Sequence, residues 1–279
     1  MTNASAPIGS SFDDASIAPH SLTKSATVWL AVLWLIWAGM LFGGFFVGEL
    51  SADGTYRIGL VSRLGSSVVL VLAAASWVAV CRGTLAGRFA WLIAIGMTLG
   101  TLGDFFNADV LQSIVPLPNP VLGAIAAFGL GHIAYIAACL DARHKAHLTS
   151  RLSLWTSIGL WQLVGLVGWL IVVYPSQLEG ARALVWPALP YSLLLAGTAG
   201  FATALAVQDR RFTLLAAGAA LFLLSDLILA WRLFRGPFSH AGDAVWLTYG
   251  PGQMLIVFAL ATCYRVIAVP RGTQQLPAA

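Results

Sequence analysis

Two aspartates carry the chemistry that this sequence suggests. Asp104 closes a run containing Gly96, Leu99, Leu102 and Gly103, and Asp226 closes one containing Gly218, Leu221, Leu224 and Ser225. Both runs read G-x-x-L-x-x-L-small-D, and both lie in long apolar stretches. Gly and Leu are common in membrane helices, so a pattern this short also recurs by chance. The acid inventory argues against chance. Of the eleven acidic residues, Asp13, Asp14, Asp53, Asp109, Asp141, Glu179, Asp209 and Asp243 read as tail or loop residues and Glu49 as a helix end, which leaves this pair inside the apolar runs. A carboxylate at the bilayer centre costs about 2.5 kcal/mol or more on insertion scales, so such residues face an interior cavity and mark function. The blander reading is a neutral Asp that only hydrogen-bonds neighbouring helices together. Two carboxyls in one low-dielectric cleft hold a single proton between them, because both cannot ionise cheaply side by side. That combination is an acid and a base in one place.

The apolar stretch after each aspartate supplies polar side chains at helical spacing: His132 with Tyr135, and Tyr249 with Gln253. Residues three or four apart share a helix face. Tyr191, just after Pro187 and Pro190, enters at similar depth, and Asn107 shares a face with Asp104. All are candidate substrate-binding groups, as is Arg63, whose guanidinium suits a phosphate. Each has a structural alternative: a packed His, a Tyr anchored at the membrane interface, or Arg63, Arg232 and Arg235 reaching to the headgroups. Gly250 and Pro251 are expected to open the helix beside Tyr249. A zinc site built from His132, Asp104 and Asp226 would have no second His and no Cys at ligand spacing beside them, so no metal is expected.

These residues must be positioned by membrane helices. The chain is 59% hydrophobic and 9% charged over 279 residues, whereas about a quarter of positions are charged in a soluble domain. Apolar runs of the roughly 20 residues needed to cross a bilayer recur eight times. They are Thr27–Val47, Ser62–Val80, Phe89–Phe106, Val121–Leu140, Leu154–Tyr174, Leu184–Val207, Phe212–Leu233 and Ala244–Val266. Barrel strands would alternate polar and apolar residues, and these runs do not. The expected fold is all-α, eight transmembrane helices in two four-helix parallel repeats, with each aspartate on the third helix of its half. Residues 1–26 are expected to form a disordered cytoplasmic tail without a signal peptide, 27–267 the transmembrane domain, and 268–279 a cytoplasmic C-terminal tail.

The basic residues fall mainly on one side, including Lys24, Arg82, Arg88, Arg143, Lys145, Arg151, Arg210, Arg211, Arg265 and Arg271, which predicts cytoplasmic termini. The net charge of +4 reflects this bias. With no basic stripe interleaved with aromatics, a nucleic-acid partner is not expected. Cys81, Cys139 and Cys263 fall at or within different spans and read as small packing residues.

In their order and spacing, Gly103-Asp104, Gly131-His132 with Tyr135, Pro187 with Tyr191, Gly218 through Ser225-Asp226, and Tyr249 with Gln253 make the chain resemble the YhhN-like lysoplasmalogenase family, from about Ser62 to Ala261. Two departures stand out. Arg63-Leu64 replaces the Lys-Pro that the family tends to have, and Gly250-Pro251-Gly252 replaces more ordinary helical residues. The resemblance implies hydrolysis of the sn-1 vinyl ether of a lysoplasmalogen to a fatty aldehyde and a glycerophospho-base. Protonating the outer alkene carbon gives an oxocarbenium ion, which water attacks. Two carboxyls suit that sequence, by analogy with glycosidases, and Asp104 and Asp226 are the expected catalytic pair. The implied partners are a lysophospholipid substrate and membrane lipid, with no cofactor and no obligate protein partner. Short loops and no targeting sequence point to a bacterial inner membrane. A proton- or cation-coupled transporter would use the same aspartates at a repeat interface, and a lipid-binding scaffold would keep the pocket without needing both.

Overall fold

The computed structural model describes residues 22–268 apart from 53, 55, 56 and 177. The two expected tails lie outside the described residues except at their inner edges. At the first of these edges the helix begins early: α1 spans Lys24–Val47, and Thr23 caps it by accepting a hydrogen bond from the Ala26 amide at 3.2 Å. A two-stranded antiparallel hairpin follows, β1 (Glu49–Leu50) and β2 (Arg57–Ile58).

Each expected span is a helix long and apolar enough to cross a membrane. After α1 come α2 (Leu60–Val80), α3 (Gly87–Asn107) and α4 (Pro120–Lys145). Next, α5 (Arg151–Gly168) runs on into a π-helical turn, Trp169–Val173. A 3-10 turn, Glu179–Leu184, leads into α6 (Val185–Gln208), and another, Arg210–Phe212, leads into α7 (Thr213–Arg235). The last span is α8 (Ala241–Phe258) continued by α9 (Leu260–Ala268). Local chemistry marks several starts. Asn119 accepts from the Val121 amide with Pro120 in the first turn of α4, and Ser150 accepts from the Ser153 amide at α5.

Consecutive helices pack on one another from α1 to α4 and again from α5 to α8, and the contacts of α2 with α8 and of α4 with α6 join the two sets. Helices α1 and α5 are the least buried. Their exposed Trp29, Leu35, Leu152 and Trp155 suit contact with lipid tails, which are as apolar as Leu. Close approach depends on glycine. A Cβ on Gly131 would stand 3.0 Å from the Gly96 carbonyl, and one on Gly252 would stand 3.0 Å from the Gly218 carbonyl.

Pro251 does not open its helix as expected. Helix α8 runs through it, and the break falls instead at Ala259, between α8 and α9. Proline removes one backbone donor, but the flanking glycines let α8 lie flush against its neighbours. A Cβ on Gly250 would meet Leu41 at 2.6 Å, and Gly252 sits on α7. Packing on both sides holds the helix straight enough to remain one.

Candidate active site

Asp104, in the last turns of α3, is buried at 5% exposure. Its Oδ2 accepts hydrogen bonds from Ser67 Oγ on α2 at 2.7 Å and from the Tyr249 hydroxyl on α8 at 3.0 Å. The Tyr249 oxygen in turn accepts from Gln253 Nε2 at 3.1 Å, and Gln253 Oε1 accepts from the Tyr135 hydroxyl of α4 at 2.9 Å. Tyr249 and Gln253 thus bond along α8, and Tyr135 joins them across helices from α4.

Helix α3 makes room for this network with a column of glycines. A Cβ on Gly96 would lie 2.3 Å from the Tyr135 ring, one on Gly100 2.8 Å from Gln253 Nε2, and one on Gly103 2.8 Å from the Phe128 ring. Spacings of four and three residues keep the three on one face. The side chains of α4 and α8 therefore reach the backbone of α3 directly.

Asp226 has a different setting. It is half-buried on α7 and accepts a short hydrogen bond from the Tyr191 hydroxyl of α6. Ser225 Oγ lies 2.7 Å from the Phe222 carbonyl and 3.3 Å from Asp226 Oδ1. Asp226 and Tyr191 line an apolar cavity between α4, α6, α7 and the π-helical turn, whose walls include Val121, Phe128, Val173, Ala188 and Leu223. Asn107 joins this lining from α3. Phe128 lies between the two carboxyl environments, its ring centroid 6.1 Å from that of Tyr249 and 6.5 Å from that of Tyr191.

His132 is buried, its ring 4.5 Å from Phe222 and 6.3 Å from Tyr191. Its Nδ1 is 2.9 Å from Thr198 Oγ1, and Thr198 donates its single proton to the Leu194 carbonyl at 3.1 Å. With the Thr198 proton on the Leu194 carbonyl, Nδ1 carries the hydrogen and Nε2 is an acceptor. That nitrogen is buried and has no hydrogen-bond partner among the described residues. Among the described residues no group of three His, Cys, Asp or Glu is arranged to hold a metal ion.

Arg63 stands apart from these contacts. It forms a 2.5 Å ion pair with Asp243, and its guanidinium lies over the rings of Phe45 and Trp246. Asp243 is no loop residue, as its position in the sequence suggests, but belongs to the first turn of α8 and is buried. Asp141 likewise lies inside α4, paired with Lys145 at 2.6 Å. The reading of residue types also missed Ser67, Thr198 and Phe128. For Ser67 a signal was present: it follows Arg63 by one helical turn, on the same face.

The comparisons with known proteins bear on the same residues. A relative named lysoplasmalogenase TMEM86B, from Sus scrofa, is 33% identical over 163 residues, 57% of this chain and 62% of the relative. The chain thus spans under two thirds of that relative's length. No solved structure matches the chain. The model of the YhhN family matches residues 63–260, a stretch that holds both aspartates, the tyrosines around them, His132 and Gln253, and the chain belongs to that family.

Proposed function

We propose that this protein is an integral-membrane hydrolase that cleaves the sn-1 vinyl ether bond of lysoplasmalogens, releasing a fatty aldehyde and a glycerophospho-base. Family membership and the lysoplasmalogenase relative support the substrate class. The single observation that carries the reading is the placement of Asp226 and Tyr191 on an apolar cavity wall, whose Phe128 also packs on the Tyr249 that bonds Asp104. Such a cavity takes an alkenyl chain and brings its first double bond to a carboxyl group.

Asp104 and Asp226 are the catalytic pair. Tyr191 and Tyr249 orient their carboxyls, and Tyr135 and Gln253 hold Tyr249 in place. Nε2 of His132 is the acceptor that can hold a water molecule against the forming cation, and Asn107 meets the glycerol oxygens at the cavity edge. Arg63 meets the phosphate. The basic side of the molecule faces the cytoplasm together with both termini, in a bacterial inner membrane, and the two halves are parallel repeats. The test is a coupled aldehyde-release assay on purified protein with a lysoplasmalogen, with and without chelator. The reading requires release that survives chelation and is lost in Asp226→Asn; wild-type rates in that variant would end it.

A further inference from the structure

The two halves of the molecule are built to one plan, and they differ at a telling place. In the first half Gly131 of α4 sits on the Gly96 carbonyl of α3, and Gly96 faces Tyr135; in the second half Gly252 of α8 sits on the Gly218 carbonyl of α7, and Gly218 faces Ile256. The same register pairs Phe128 with Tyr249 and His132 with Gln253. Each aspartate also receives a hydroxyl from the preceding helix, Ser67 for Asp104 and Tyr191 for Asp226. The correspondence breaks at Phe128 and Tyr249. Tyr249 donates to Asp104, whereas its counterpart Phe128 has no hydroxyl to offer Asp226 and only walls the apolar cavity.

From this difference we infer that the aspartates have fixed, unequal roles: Asp226 is the acid that protonates the vinyl ether, and Asp104 is the carboxylate that receives the proton of water. The inference rests on the function proposed above. Asp104 Oδ2 accepts two hydroxyl donors in a buried polar network, an arrangement that suits an anion. Asp226 borders hydrocarbon, which suits a neutral carboxyl. The donors that reach Asp226 are the Tyr191 hydroxyl on Oδ2 and, at 3.3 Å, Ser225 Oγ on Oδ1, a hydroxyl that also donates to the Phe222 carbonyl at 2.7 Å.

The steps balance. Asp226 gives its proton to the outer alkene carbon; the C=C π bond becomes a C–H bond, and the ether carbon becomes an oxocarbenium ion. Water bonds to that carbon and gives a proton to Asp104. The hemiacetal then returns its hydroxyl proton to Asp226 as the C–O bond to glycerol breaks, and the glycerol oxygen takes the proton held by Asp104. Aldehyde and alcohol leave, and both carboxyls are back in their starting states.

Infrared spectroscopy of the purified protein without substrate separates this inference from the identity of the substrate, because a protonated carboxyl has its own C=O stretch. The expected result is a band that persists in Asp104→Asn and is lost in Asp226→Asn. A band that persists only in Asp226→Asn, in both variants, or in neither overturns the assignment. Should either Asn variant fail to fold, the aspartates can be left intact. Tyr191→Phe removes a hydroxyl that Asp226 accepts and should shift the band, while Ser67→Ala should leave it in place, and the reverse pattern overturns the inference equally.

Discussion

The hydroxyl of Tyr249 on α8 and Oδ2 of Asp104 on α3 are 3.0 Å apart, joined by a hydrogen bond between residues 145 positions apart in sequence. A bond to an ionised group is worth about 1.5–3 kcal/mol. Tyr249→Phe should therefore slow aldehyde release about tenfold to a hundredfold. The loss should fall on kcat more than on KM, since the hydroxyl supports charge rather than the lipid chain. Steady-state kinetics on the purified variant measures the split.

Gly96→Ala and Gly103→Ala should damage the fold. Their new Cβ atoms would stand 2.3 Å from the Tyr135 ring and 2.8 Å from the Phe128 ring, and overpacking of this kind costs about 1–3 kcal/mol. Gly39→Ala is the control, because nothing lies within 4 Å of its Cβ position. Thermal unfolding in detergent should show lower midpoints for the first two and none of that loss for the third.

Arg63 and Asp243 are about 10% exposed in their side chains and paired at 2.5 Å. Breaking a buried pair by removing one partner costs about 3–5 kcal/mol, whereas an apolar replacement of both is often neutral. Asp243→Asn should thus lower the unfolding midpoint more than Arg63→Met combined with Asp243→Leu. The double variant should still bind phospholipid less well, read as a raised KM, if Arg63 meets the phosphate.

Cys81 follows the last residue of α2 and is fully buried, and that burial pushes its thiol up to about 11. The reactive species is the thiolate. Native protein at pH 8 should resist maleimide at this position while detergent-unfolded chain labels quickly, and native labelling should rise as the pH approaches 11. Mass spectrometry of the Cys81 peptide reads the difference. Rapid labelling of the folded protein at pH 8 would contradict the burial.

Much of this architecture was legible before any coordinates. Hydrophobic runs of spanning length located the eight crossings because lipid leaves the backbone no other helical solution of that length. The cost of a carboxyl in hydrocarbon singled out Asp104 and Asp226, and helical spacing gathered Tyr249 with Gln253. What escaped depends on register between helices. Ser67 and Thr198 look like ordinary small residues until a neighbouring helix brings Asp104 or His132 to them. Asp243 was misplaced because a charged residue near a span boundary reads the same in a loop and in a first helical turn. Pro251 misled for a related reason, since the glycines on either side decide how closely other helices brace it.

The glycine column of α3 separates two kinds of change that this protein can absorb. Hydrogen cannot be trimmed further, so the backbone side of the cleft has no spare shape to give. Opposite it, aromatic and amide side chains can exchange a hydroxyl for nothing, as Tyr249 and Phe128 already illustrate, without altering the outline of the space. New substrate preferences should therefore arise through edits to the facing wall at constant volume, and a saturation library scored for activity should find its tolerated variants there, with α3 almost bare.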